Sequence, residues 1–146
     1  YAVPQWQNAL KGVLDRVKQR LPNAQVDKLD WYWPVGEKIP RNPVSDTVRL
    51  LAPFDPLVHD RARFELLWGW SYRFEAYTPA AKRKLGYYAM PLLWRDSIVG
   101  WANLSVKGGR LAPDIGFVGE PIRERTFKQE LERELESLTK FLRLNE

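Results

Sequence analysis

The sequence predicts an α+β chain: a small antiparallel sheet or partial barrel with flanking helices, preceded by a helix and a short hairpin. Three observations carry that expectation. Apolar residues recur at three- and four-residue spacing at both ends of the chain, short runs of strand formers separated by turn residues fill the middle, and a proline-punctuated stretch from Gly36 to Asp46 separates the two parts. The expected division is residues 1–42, a helix with a hairpin and linker, and residues 43–146, an antiparallel β domain with a terminal helix.

Taken in order, Trp6, Leu10, Val13, Val17 and Leu21 form the stripe of an amphipathic helix. Pro4 suits its first turn and Pro22-Asn23 its end. Val26, Leu29, Trp31 and Trp33 then read as a hairpin turning at Lys28 to Asp30. A helix followed by a hairpin is the minimal pattern of the last helix and wing of a winged-helix unit. After the linker, VRLLAPF reads as a strand and DPLVHDRARFELLWG as one helix, with Asp55 as cap, Pro56 in the first turn and Gly69 as terminator. Leu57, Arg61, Phe64 and Trp68 share a face of that helix. SYRFEAY alternates Tyr72, Phe74 and Ala76 against Ser71, Arg73 and Glu75, the period of a half-buried strand. YYAMPLLW and SIVGWANLSV read as strands around Arg95-Asp96, and the Gly108-Gly109-Arg110 turn leads into LAPDIGFVG. Beyond Pro121, Phe127, Leu131, Leu135, Leu138 and Leu142 mark a last helix, whose other face alternates acid and base.

Composition removes several kinds of chemistry. With no cysteine and one histidine, no disulfide framework or thiolate metal site is possible and a His-based one is not expected. No metal and no cofactor are expected. No apolar run approaches the ~20 residues that span a bilayer, and the first residues lack the order of a signal peptide, so no membrane partner is expected and a cytoplasmic setting is. The charge is uneven: 17 Lys/Arg stand against 10 Asp/Glu up to residue 110, and 6 against 8 beyond it. A polyanion would meet the first three quarters of the chain.

Two constellations stand out. Asp55, His59 and Asp60 gather the material of acid–base catalysis, but no Ser or Cys nucleophile with a local motif accompanies them. Asp before Pro is the usual capping arrangement, and Asp60 beside Arg61 and Arg63 can close an ion pair. Asp55, Asp60 and Arg61 are therefore expected to be structural, and no catalytic residue is assigned. The second constellation is Lys82-Arg83-Lys84, between segments carrying Tyr72, Tyr77, Tyr87 and Tyr88. Cations beside aromatics suit phosphate neutralisation with base stacking; a charged loop of this kind also occurs as a plain soluble turn. Lys82, Arg83 and Lys84, with Arg73 on the segment before them, are the expected nucleic-acid-contacting residues. At most one or two of the seven Trp are expected to serve function rather than packing.

Across residues 50–93 the chain resembles the C-terminal region of the YcaQ/AlkZ-like DNA glycosylases, winged-helix proteins that unhook interstrand crosslinks and excise alkylated bases. The matching pieces are Pro53-Phe54-Asp55-Pro56, Asp60-Arg61, Tyr72-Arg73, Tyr77-Thr78-Pro79-Ala80, Lys82-Arg83, Gly86-Tyr87-Tyr88 and Pro91-Leu92. His59 stands where the family usually has Trp, Ala81 where Pro is common, and Trp101 where a cation is frequent; position 59 is accordingly expected to pack. The resemblance implies double-stranded DNA as partner, a nucleoid-associated location, and a complete protein that hydrolyses the N-glycosidic bond of an alkylated nucleotide. The family's catalytic motif, Gln, an aliphatic and then Asp or Gln, lies near its N-terminus, several winged-helix units before the PFDP element. Here PFDP begins at residue 53. Gln5-Trp6-Gln7 and Gln25-Val26-Asp27 imitate the motif, but the second falls on the predicted hairpin, and neither is assigned the catalytic role. The expectation is a DNA-binding and structural C-terminal part that lacks glycosylase activity alone; the alternative is a non-enzymatic winged-helix DNA-binding or regulatory protein.

Overall fold

The computed structural model describes residues 4–38 and 43–144, with side chains from residue 11 onward. It divides into two compact units, residues 1–42 and 43–146. Within the linker, Ile39 to Asn42 lie outside the described residues, as do the side chains of Trp6 and Leu10 in the first stripe and of Gln5-Trp6-Gln7.

In the first unit, α1 (Pro4–Lys18) is followed by a two-stranded antiparallel hairpin, β1 (Asn23–Val26) and β2 (Leu29–Tyr32). The helix stops at Lys18, before the expected Pro22 stop. The hairpin turns at Asp27 and Lys28, both with positive φ (51° and 65°), rather than at Lys28 to Asp30. Two consecutive left-handed residues make the two-residue turn whose twist matches paired strands, and Asp is among the residues that tolerate it. Lys18 lies over the Tyr32 ring at 5.3 Å. No described side chain of this unit is buried, and Val13, Leu14, Val17, Val26 and Leu29 stay exposed. One helix and one hairpin are too few layers to enclose a core.

The second unit is built on an open four-stranded antiparallel sheet in the order β3-β4-β5-β6: β3 (Val48–Leu50), β4 (Met90–Trp94), β5 (Ser97–Lys107) and β6 (Arg110–Phe117). It does not close, so of the two forms expected the sheet is realised and the partial barrel is not. β4, β5 and β6 are a meander joined by tight turns at Arg95-Asp96 (Arg95 φ 57°) and at Gly108-Gly109 (φ 56° and 74°). A bulge between Leu92 and Leu93 shifts the β4–β5 register. Tyr87 and Tyr88 belong to the turn before β4 and not to the strand.

Both faces of the sheet are covered, which is why MPLLW reads as a continuous apolar run. On one face Ile98 and Leu93 pack with Leu51, Val58, Phe64 and Tyr72 from the long excursion between β3 and β4. On the other, Val48, Leu92 and Trp94 pack with Phe127 of α4 (Arg125–Phe141), the Trp94 and Phe127 rings meeting edge to face at 5.2 Å. At the outer strand the Leu50 amide donates to Glu134 Oε1 at 3.0 Å, the Val48 carbonyl accepts from Arg49 Nη1 at 3.1 Å, and Arg49 pairs with Glu134 at 3.3 Å.

The excursion departs from the sequence reading at two points. The expected single helix is two, α2 (Pro56–His59) and α3 (Arg61–Trp68), broken at an extended Asp60. The break turns Val58 and Phe64 inward together, while Leu57 of the predicted face stays exposed. SYRFEAY forms no strand: it is irregular chain without a ladder partner that ends in a turn at Ala76 and Tyr77. Tyr72 is buried as its alternation predicts, but Glu75, predicted to face out, is 8% exposed. Side-chain hydrogen bonds hold this segment in place of strand pairing.

Candidate nucleic-acid interface

Glu75 organises the loop that carries the predicted cations. Its two carboxylate oxygens accept the amides of Lys84 (3.0 and 2.8 Å), Leu85 (2.7 Å) and Gly86 (3.3 Å). Three successive N–H groups converging on one carboxylate are a small anion nest, here occupied from within the chain. Burial alone would push the Glu75 carboxyl up, but the amides of Leu85, Lys84 and Gly86 and the Lys84 charge outweigh it and hold the group below the usual carboxylate value.

The opposite side of the loop is fixed through its carbonyl. Leu85 O accepts both Trp101 Nε1 (3.1 Å) and Asn103 Nδ2 (2.7 Å) from β5. Gly86 has φ +122°, a backbone angle that calls for glycine, and a Cβ there would also press on the Asn103 side chain that holds Leu85 O. Tyr72 completes the support: its hydroxyl donates to Ala89 O at 2.7 Å, and burial, the Tyr88 hydroxyl and the Glu75 charge raise its pKa well above the ordinary phenol value, against the lowering effect of Arg61. It remains a proton donor.

On this frame the cations are presented outward. Residues 80–82 form one 3₁₀ turn (Ala80–Lys82). Lys82 and Lys84 are exposed, and neither side chain has a hydrogen bond or ion pair among the described residues. Arg83 is partly enclosed: Nε donates to Thr78 O at 2.8 Å and the guanidinium lies over the Tyr87 ring at 4.9 Å. Arg73, on the irregular segment before the loop, is exposed and likewise without a partner among the described residues. The structure thus gathers Lys82, Arg83 and Lys84 on one braced loop, and Arg73 precedes by two residues the glutamate that braces it.

The residues expected to be structural fall on the helix starts. Asp55 Oδ1 accepts the Leu57 amide at 2.8 Å at the head of α2, and Asp60 Oδ1 accepts the Arg63 amide at 3.1 Å at the head of α3. The ion pair expected between Asp60 and Arg61 or Arg63 is not formed: Arg63 donates instead to the Pro56 carbonyl, and Arg61 is exposed with its charge acting on Tyr72. His59 is exposed, so position 59 does not pack; Val58 beside it does. Gln25-Val26-Asp27 lies exposed at the hairpin tip, Gln25 Nε2 donating to Asp30 Oδ1 at 3.3 Å.

Glu75, Trp101 and Asn103 were not among the predicted site residues. The pairing of Glu75 with amides nine to eleven positions later leaves no periodic trace, and the only local hint is an acid placed among aromatics ahead of a Lys-Arg-Lys-Leu-Gly turn. Among the described residues no group of three or more His, Asp or Glu is placed to hold a metal ion, and no helix is long and apolar enough to cross a membrane. A groove of about 650 Å³ between β6 and α4, lined by Leu111, Pro113, Leu135, Thr139 and Lys140 among others, shares no residue with the cationic loop.

A family model described as DNA glycosylase AlkZ-like matches residues 5–141. No solved structure matches the chain.

Proposed function

Because this chain belongs to the AlkZ-like DNA glycosylase family, we propose that it is the DNA-holding C-terminal part of such a repair enzyme, with Lys82, Arg83, Lys84 and Arg73 neutralising backbone phosphates. The observation that carries this reading is the loop of residues 82–86, fixed through its amides by Glu75 and through its carbonyl by Trp101 and Asn103, with Lys82 and Lys84 left free at its surface. A solvated turn needs no such bracing. A phosphate contact gains from it, because cations already held in place lose less freedom on binding.

In this reading residues 1–42 are the last helix and wing of a winged-helix unit, and residues 43–146 form a wall of the groove that holds an alkylated or crosslinked duplex. The N-glycosidic bond is hydrolysed by a motif outside this chain. The exposed position of Gln25-Val26-Asp27 on its hairpin supports that view, since a water-positioning carboxylate needs an enclosed base beside it. The proposed setting is cytoplasmic, on the nucleoid.

Titration with duplex DNA at two salt concentrations tests the assignment. Affinity should fall steeply with salt, and the double substitution Lys82→Ala, Lys84→Ala should reduce the logarithmic salt slope by about 2, roughly 0.9 for each phosphate no longer neutralised, with little change in melting temperature. An unchanged slope removes the loop from the interface.

A further inference from the structure

Beside the cationic loop lies a cluster of aromatic rings that starts at the edge of the core, where Phe74 packs, and runs out to the surface. Phe74, half-buried, is its centre, meeting Phe54 at 5.5 Å and 68°, Tyr77 at 6.2 Å and 88°, and Tyr88 at 5.2 Å and 87°. None of these contacts is a flat stack. Tyr77 is 91% exposed and Phe54 64% exposed, with Tyr87 and Tyr88 at 60% and 42%. A ring as bare as Tyr77 buries little surface on folding, yet the residue after it is pinned: the Thr78 amide donates to Glu75 O at 2.9 Å and the Thr78 carbonyl accepts Arg83 Nε at 2.8 Å. The bond to Arg83 ties the backbone next to this ring to the loop that presents Lys82 and Lys84.

An exposed ring beside free cations on one hydrogen-bonded stretch of chain offers a nucleic-acid strand both a stacking face and phosphate-neutralising charge. A fully paired duplex hides its base faces and can meet only the cations. An unpaired strand can use both. Resting on the reading of this loop as a DNA-facing surface, we infer that Tyr77 and Phe54 are a stacking site for unpaired nucleotides, so that this face prefers single-stranded or gapped DNA to intact duplex. Tyr77 is the principal platform and Phe54 extends it across Phe74.

The test compares binding of the chain to an oligo-dT strand, a duplex of the same length, and that duplex carrying a short single-stranded gap. Tyr77→Ala should weaken binding to the strand and the gapped form about five-fold or more, the scale of one base stack removed. Fully paired duplex should change less than two-fold, and Tyr77→Phe, which keeps the ring, should restore single-strand affinity. Phe54→Ala should act in the same direction. Equal losses on strand and duplex would overturn the inference, and so would undiminished single-strand binding by Tyr77→Ala, the result for a face that holds a protein instead. Lys82→Ala with Lys84→Ala separates the two claims: unchanged binding by that variant with a selective loss in Tyr77→Ala discards the phosphate assignment and keeps the stacking site.

Discussion

Glu75 shows how much one side chain can decide. It serves as the acceptor for three amides, and its lowered pKa makes its contribution depend on pH with a definite sign. The group binds its proton more weakly folded than unfolded, so its stabilisation is complete above the ordinary carboxylate range. It is lost as pH falls from about 5 toward Glu75's own, lower value. Glu75→Gln should therefore flatten that part of the stability–pH curve. It should also destabilise by about 2 kcal/mol at neutral pH, because an amide cannot accept all three N–H groups and leaves buried donors unmet. Thermal melts of both proteins between pH 3 and 7 check this, and parallel curves would assign the acid sensitivity elsewhere. The alternation of SYRFEAY predicted Tyr72 inside and put Glu75 outside, because periodicity weighs hydrophobicity and cannot see an acceptor meeting amides from a later turn.

At the level of elements, the two short helices depend on their first residues. α2 has four residues and α3 eight, lengths at which a helix in water does not sustain itself. Asp55 and Asp60 each satisfy an amide that would otherwise face solvent or core alone. Asp55→Ala and Asp60→Ala should each cost about 1 kcal/mol, read as a shift in the urea midpoint. Substitution to Asn, which keeps the accepting oxygen, should recover most of it. The caps were legible because capping chemistry is local: Asp-Pro announces a start and Gly69, at φ 65°, an end. The break at Asp60 was not, since a second cap inside a helical pattern looks like any exposed polar residue. The strands after residue 90 were legible for a different reason. Their turns, Arg95-Asp96 and Gly108-Gly109, sit between runs of β-formers, and only the bulge at Leu92/Leu93 and the placement of Tyr87 and Tyr88 escaped the pattern.

At the scale of the whole molecule, the sequence carried the class of fold and the family. The family match over residues 5–141 reaches both compact units. Charge follows position: the net-positive first three quarters include the loop at Lys82 to Lys84, while the acidic excess lies in the stretch that contains α4. If the catalytic motif lies outside this chain, the chain should release no base from alkylated duplex DNA while still binding it. Base release that disappears in Asp27→Asn would return the chemistry to the hairpin. The site itself was half legible, its cations plain in the sequence and its scaffold hidden in long-range hydrogen bonds.

The pairing of Arg49 with Glu134 at the rim of the sheet bears on how copies of this protein meet one another. β3 borders the sheet, and the outward carbonyl of Val48 and amide of Leu50 would otherwise offer a docking rail to any passing extended chain. Arg49 and Glu134 occupy those two groups from within. On the far border, β6 contains Pro113, which has no amide to offer. The sheet is thereby guarded against self-templated polymerisation at both margins, and the polar pair between β3 and α4, which looks like surface decoration, is part of what keeps an open sheet from recruiting a further strand.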